Sequence, residues 1–329
     1  MGDAPVDEIV ARARQAEAAG YDAFWVADER FFREPYQLLA LAGAATRRIA
    51  LGPCVADPFT RHPALTALAI ATLDEATDGR AVLVYGAGKS GFQEMGIDRR
   101  RSATALREAT LLVRTLLAEG HADVAGEIIS FRDGRLNLPV PRRPPIWIAS
   151  EGPRTREMAG AVADAVMIGS AAAPIEIERA AAHIRTGAER VGRPAPPIHL
   201  RLDAAIADRP EPALDAMRPI ALRHLLRHAP EPGFAERHDL DAATRTALQA
   251  VDYRSYSRDA DRVGQWAALV PDRLIAPFAW AGTAEQIAAA ATAVAPFVAG
   301  VTVYPVPTAG QSWSEAATRL AATIGPALG

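Results

Sequence analysis

The feature that most constrains this chain is its rhythm: short apolar runs of strand length alternate with longer amphipathic stretches along most of its 329 residues. Val6, Ile9, Val10, Ala13 and Ala16 recur at helical spacing and predict a helix over 5–19, with Asp3 as its cap and Gly20 just past its end. Ala23-Phe24-Trp25-Val26-Ala27 then reads as a strand. The same alternation predicts helices at 36–46, 63–77, 102–119, 153–163, 175–191 and 312–325, and strands at 49–52, 81–85, 145–149, 165–168, 198–202 and 300–304. Ser102 is read as the cap of its helix and Gly120 as its stop. Strands that are apolar throughout are buried on both faces, and helices between them imply parallel pairing. Two architectures satisfy this pattern, a closed α/β barrel and a doubly wound open sheet.

Two stretches break the rhythm. Residues 121–138 read as a hairpin, with turn signals at Ala125-Gly126 and Asp133-Gly134. Residues 208–275 form a long, mostly helical insertion, which in a barrel is expected to lie over the mouth, where loops carry function. With no internal repeat beyond the strand–helix unit, one domain over 1–329 is expected. The net charge of −3 leaves no excess of basic surface for nucleic acid or an anionic membrane, and no run reaches the length of a membrane span. The single cysteine, Cys54, rules out an internal disulfide or a thiolate metal cluster. Residues 1–5 lack the basic-then-apolar pattern of a signal peptide, so a cytoplasmic location is expected. Histidines 62, 183, 199, 224, 228 and 238 show no metal-ligand spacing. His224 and His228, four apart on a helix, are expected to face solvent. Nucleophile-elbow and Walker motifs are absent from the sequence.

Three segments have the chemistry of a binding site. Gly86-Ala87-Gly88-Lys89-Ser90-Gly91 follows a strand; its glycines let backbone approach a ligand closely, and successive N–H groups can cradle an anion. Its spacing is not that of a dinucleotide fingerprint. Gly152-Pro153-Arg154-Thr155 opens a helix: Gly152 permits close approach, Pro153 needs no N–H partner, and the free amides beyond it face outward beside Arg154 and the Thr155 hydroxyl. Asp28 and Glu29 close the strand at 23–27. Either carboxyl could serve as an acid or base if burial raised its pKa, or could simply cap the loop and pair with Arg30 or Arg33.

Leu51-Gly52-Pro53-Cys54-Val55-Ala56-Asp57-Pro58-Phe59-Thr60-Arg61-His62-Pro63 is followed by a helix ending Ala71-Thr72-Leu73-Asp74-Glu75, then by Gly79-Arg80 and Gly86-Ala87-Gly88. This succession resembles the luciferase-like family, within it the branch of methylenetetrahydromethanopterin reductases. The Ile146-Trp147-Ile148-Ala149 strand, Glu151-Gly152-Pro153-Arg154, Ala163-Asp164, and Phe278-Ala279-Trp280-Ala281-Gly282-Thr283-Ala284-Glu285 fit the same branch in order. The resemblance implies a TIM-like (β/α)8 barrel, commonly dimeric, using reduced FMN or the deazaflavin coenzyme F-420. It implies a non-proline cis peptide at Cys54–Val55, backing the ring, with Gly86, Ala87, Gly88 and Ala149 also in contact with the cofactor. It places a cofactor phosphate on Gly152, Pro153, Arg154 and Thr155. His62-Pro63 would shape the loop after its strand. Deazaflavin-using members often carry Asp-His where this chain has Asp28-Glu29, which puts a His-based mechanism in doubt and leaves Asp28 and Glu29 as the catalytic candidates.

The family has a strand ahead of the helix that begins here near Pro5, so seven strands are counted where a barrel needs eight. A start codon assigned too late is favoured over a truncated product or a substitute segment. The expectation is a barrel open between the strands at 23–27 and 299–304. Functionally, the leading expectation is F-420-dependent hydride transfer to or from a small organic substrate. An FMN-dependent monooxygenase served by a partner flavin reductase is the alternative, and a non-catalytic flavin-binding barrel the third.

Overall fold

The computed structural model describes residues 4–88, 91–99, 101–169, 172–228, 233–249, 251 and 260–329. Two compact units divide the chain, Met1–Met167 with Ala180–Ile198, and Ile168–Arg179 with His199–Gly329. The chain begins with α1 (Val6–Ala18), β1 (Ala23–Val26), α2 (Pro35–Ala45), β2 (Ala50–Ala56), α3 (Pro63–Ala76) and β3 (Leu83–Tyr85). It continues through α4 (Ser102–Glu119), the hairpin β4 (His121–Ala125) and β5 (Ser130–Arg135), β6 (Ile146–Ser150), α5 (Pro153–Val162), β7 (Ala165–Gly169) and α6 (Pro174–Glu189). Then come β8 (Ile198–Ile206), α7 (Pro210–His228), α8 (Phe234–Arg237), α9 (Ala242–Gln249), α10 (Ala260–Ala267), β9 (Ala279–Gly282), α11 (Ala284–Val294), β10 (Gly300–Pro305) and α12 (Trp313–Leu328).

In the first unit β1, β2, β3, β6 and β7 lie side by side in that order. Val26 stands opposite Pro53, Cys54 opposite Val84, and Tyr85 opposite Ile148, all in parallel register. The approach of β2 to the start of β3 depends on Gly52, where a Cβ would overlap the Val82 carbonyl oxygen. Leu51 donates to the Arg80 carbonyl and accepts from the Val82 amide across this contact, both at 2.9 Å. The register shifts between Cys54 and Ala56, and the Cys54–Val55 peptide is cis, as the resemblance implies.

The two faces of this sheet differ. Leu51, Leu83, Tyr85 and Ile146 join the core formed with α1–α4 and are almost fully buried. On the opposite face Trp25, Val82, Val84 and Met167 form a separate cluster, with Cys54, Val55, Trp147 and Ala149 half-buried against it. The indoles of Trp25 and Trp147 are 5.5 Å apart and inclined by 57°. Helix starts follow the sequence closely: Pro35, Pro63 and Pro153 each open a helix, where a missing N–H costs nothing. Helix α4 has the predicted bounds and stops at Gly120, which is left-handed at φ 69°. Its start differs from expectation. Arg101, also left-handed, precedes the helix, so Ser102 is already in the first turn and its hydroxyl donates to the Arg99 carbonyl instead of capping.

Carboxylates anchor the loops at the other ends. Glu17 on α1 accepts the amides of Arg47, Arg48 and Ile49, and these bonds outweigh the opposing effect of desolvation and hold its pKa at about 2. Glu108 on α4 accepts the amides of Glu127, Ile128 and Ile129, which form the hairpin turn. That turn agrees with the Ala125-Gly126 signal. The second signal does not hold: Asp133 and Gly134 lie inside β5, with Gly134 paired to Ala122. The anchored turn already reverses the chain, so Asp133 takes its left-handed φ of 41° within the ladder.

In the second unit β8 is the organising strand. It pairs with β10 along His199–Ala204 and with β9 along Asp203–Ile206, all parallel. Strand β9 was not expected; Ala-Trp-Ala-Gly is short and carries no β-branched residue. The insertion after β8 is helical as expected. Its histidines are not solvent-facing: His228 is buried, stacked near Phe234 and Phe278, and His224 lies half-buried 5.4 Å from the Phe278 ring. Apolar packing of α7 against Phe278 draws both rings inward. The parallel sheet has eight strands, one more than the seven counted from the sequence, because β9 joins it on β8; among the described residues β1 pairs with β2 alone, so the sheet is open at β1. No described helix is long and apolar enough to cross a membrane.

Two stability experiments follow. Gly52→Ala is expected to destabilise by about 1–3 kcal/mol through overpacking against β3, read as a lower urea midpoint. Glu17→Gln is expected to lower that midpoint at pH 7. Because Glu17 is held below its ordinary value in the folded protein, its contribution is complete above pH 4.5 and disappears as the pH falls towards about 2. The gap between wild type and variant should therefore close over that window; a gap that persists at the acid end would refute the anchoring role.

Candidate active site

Parallel pairing sends the C-terminal ends of β1, β2, β3 and β6 to one edge of the first unit, the edge at which α/β folds bind ligands. Asp28 and Glu29 follow β1, Cys54 and Val55 lie near the end of β2, Gly86–Gly88 follow β3, and Ala149 lies near the end of β6. The register brings them together. Cys54 is opposite Val84, two residues before Gly86, and Ile148, opposite Tyr85, precedes Ala149. Gly86 has no room for a side chain, since a Cβ there would stand 2.8 Å from a methyl of Val55. Cys54 Sγ lies 3.6 Å from Met167 Sδ. Cys54, Val55, Ala87, Gly88 and Ala149 are half-buried, so this inner corner is walled by apolar groups yet open to a ligand.

Asp28 is half-buried, and desolvation pushes its carboxyl above the ordinary value, with Asp57 and Glu34 adding to the rise and Arg30 and Arg61 opposing it. Its backbone carbonyl accepts from Arg30 at 2.8 Å. Glu29 is half-buried beside it and its carbonyl accepts the Phe32 amide. Arg30 itself pairs with Asp57, not with Asp28 or Glu29. His62 acts as the sequence suggests: it caps α3, with Nδ1 accepting from Ala64 and Nε2 bonded to the Ser130 carbonyl, which fixes the tautomer with the proton on Nε2.

The start of α5 is the second part of the site. Gly152 is its N-cap in extended conformation, Pro153 is its first residue, and no side chain caps it. A Cβ on Gly152 would meet nothing within 4 Å, and Gly152, Pro153 and Arg154 are exposed with Thr155 half-buried. Helices α11 and α12, by contrast, carry complete capping boxes. An uncapped, open, proline-led helix start suits an incoming phosphate. Lys89 and Ser90 of the glycine-rich segment, Asp3, and Ser170 at the end of its motif lie outside the described residues.

Sequence reading assigned no role to Asp57, Phe92 or Arg99, and considered Arg30 only as a partner for Asp28 and Glu29. Asp57 is buried and accepts the amides of Phe59 and Thr60 and the Thr60 hydroxyl. The Asp57-Pro58-Phe59-Thr60 spacing, an acidic residue with a hydroxyl three positions on, was the available signal for that turn. Arg99 donates to the Gly88 carbonyl and lies 5.1 Å from the Phe92 ring, details with no mark in the sequence.

The family described as luciferase-like monooxygenase matches residues 1–300. A 5,10-methylenetetrahydromethanopterin reductase of Archaeoglobus fulgidus is 32% identical over 287 residues, which span 85% of this chain and 83% of that protein. Among solved structures, the coenzyme F-420-dependent tetrahydromethanopterin reductase of Methanopyrus kandleri superposes with a TM-score of 0.87 at 23% identity, over 99% of this chain and 97% of that one. The FMN-bound oxygenating constituent of 3,6-diketocamphane monooxygenase from Pseudomonas putida superposes with a TM-score of 0.69 at 15% identity, over 98% and 93%. The likeness shows a TIM-like α/β fold, here with an open edge and a helical insertion. The chain belongs to the luciferase-like monooxygenase family, in its methylenetetrahydromethanopterin reductase-like branch.

Proposed function

We propose that this protein is an oxidoreductase that transfers hydride between coenzyme F-420 and a small organic substrate. The observation that carries the reading is the half-buried corner of Cys54, Val55, Ala87, Gly88 and Ala149 at the strand ends, together with the uncapped start of α5. The A. fulgidus relative at 32% identity supports the same choice. When bound, the cofactor supplies the hydride chemistry. Cys54 and Val55 would back its ring, and Gly86 and Gly88 would let backbone approach it. The α5 amides, with Arg154 and Thr155, would hold its phosphate. The raised pKa of Asp28 suits a carboxyl that holds a proton on an oxygen near the reacting ring and returns it as charge develops. Glu29 is the second carboxyl assigned to that face.

An FMN-dependent monooxygenase served by a flavin reductase is the second reading, favoured by the likeness to the FMN-bound P. putida structure. We take residues 1–329 as one working domain. We also take the protein as a cytoplasmic homodimer without nucleic-acid or membrane partners. Leu41 on α2 and Leu65 and Leu68 on α3 are exposed on neighbouring helices, which supports a dimer contact there.

Fluorescence titration with F-420 and with FMN tests the cofactor. Tight binding of F-420 alone is expected; tight binding of FMN alone would transfer the conclusion to the monooxygenase, and binding of neither would sink both. Arg154→Ala is expected to weaken F-420 about tenfold and to flatten the salt dependence of binding, as removal of one charge-assisted phosphate contact should. Asp28→Asn is expected to bind F-420 within about threefold of wild type but to abolish the limb of the pH–rate profile that reflects the raised carboxyl.

A further inference from the structure

The loops that follow β1, β2 and β3 meet on one side chain. The Arg30 guanidinium is almost fully buried and pairs through Nη2 with Asp57, whose carboxylate is buried and at the same time shapes the turn 57–60. Its Nη1 donates to the Asp28 carbonyl at 2.8 Å. Its flat face lies 4.6 Å from the centroid of Phe92, whose ring is also approached by Phe59 edge-on at 6.0 Å and by Arg99. Gly88 and Gly91, both with positive φ, close down on it: a Cβ at Gly88 would stand 2.6 Å from Arg30 Nη2, and one at Gly91 2.6 Å from Arg30 Cβ. Nε is buried with no acceptor among the described residues, so the Asp57 carboxylate and the Asp28 carbonyl are the two acceptors that hold the group.

These contacts share a geometry that a lysine cannot reproduce. A planar fork donates in two directions and stacks by its face at the same time, whereas an ammonium is a point charge. We propose that Arg30 is a positioning residue for the cofactor mouth, fixing Asp28, the turn after β2 and the Gly86–Gly88 segment relative to one another. It would act through these loops without itself touching the ring. The inference rests on the F-420 reading above.

Hydrogen exchange on the cofactor-free protein and F-420 titration together test it. In Arg30→Met, amide exchange is expected to accelerate in three places at once: the peptides covering 27–32, 57–62 and the segment beginning at Gly86. The dissociation constant for F-420 is expected to rise at least tenfold. Arg30→Lys, which keeps the charge opposite Asp57 but not the fork, is expected to restore slow exchange at 57–62 and to leave the Gly86 segment fast, with intermediate affinity. Acceleration confined to 27–32, or an Arg30→Met affinity within twofold of wild type, would overturn the proposal. A wild-type protein that binds no F-420 would end the functional reading, and with it a role for Arg30 at a cofactor mouth. The exchange data would then still distinguish that failure from a failure of the loop coupling. Should Arg30→Met not fold, Phe92→Leu keeps the Arg30 pair with Asp57 and its bond to the Asp28 carbonyl and removes the ring on which it stacks. It is expected to speed exchange in the Gly86 segment and weaken F-420, and unchanged exchange there would count against the proposal.

Discussion

The contact between β2 and the beginning of β3 sets the geometry on which the rest of the first unit depends. It exists because Gly52 has no side chain to hold the Val82 carbonyl away. From that point the parallel ladder runs towards the shift at Cys54–Ala56, and the shift settles where Val55 meets Gly86. One face of the ladder is sealed by helices and the other keeps half-buried positions at its end. The proposed binding corner and the main core thus lie on opposite sides of the same strands, so the corner can stay open without exposing that core.

Loop control in this protein is largely the work of carboxylates that accept several backbone amides at once. Glu17 does so ahead of β2, Glu108 at the hairpin turn, and Asp57 beyond β2. Each converts unpaired amides of an irregular segment into charge-assisted bonds, which are stronger than neutral ones. The start of α5 has no such carboxylate: its N-cap is Gly152 and no side chain caps it, as is also true of α1 and α4.

Much of this was legible in the sequence, for identifiable reasons. Helix α4 was readable because its buried residues recur at strict helical spacing and a glycine ends it. The α5 start was readable because Gly-Pro permits few alternatives, and the cis peptide because the motif around Cys54 resembles a known pattern. What was not legible depended on partners remote in the chain. Asp133-Gly134 looks like a turn only until Glu108 is seen to anchor the true one. His224 and His228 look like surface residues until Phe278, some fifty residues on, is packed against them. Ser102 lost its capping role to a left-handed Arg101, a conformation that sequence does not advertise for arginine. The Arg30–Asp57 pair joins positions 27 residues apart through tertiary contact alone.

The neighbouring indoles of Trp25 and Trp147 have a practical consequence. Two indoles 5.5 Å apart and inclined at 57° are close enough for their strong far-ultraviolet transitions to couple, which gives the pair a circular-dichroism couplet of its own. Trp147 is only half-buried and lies two residues before Ala149, so a conjugated ring system seated in this corner would accept its excitation energy. The protein therefore contains its own optical reporter, able to register occupancy of the corner without an added label.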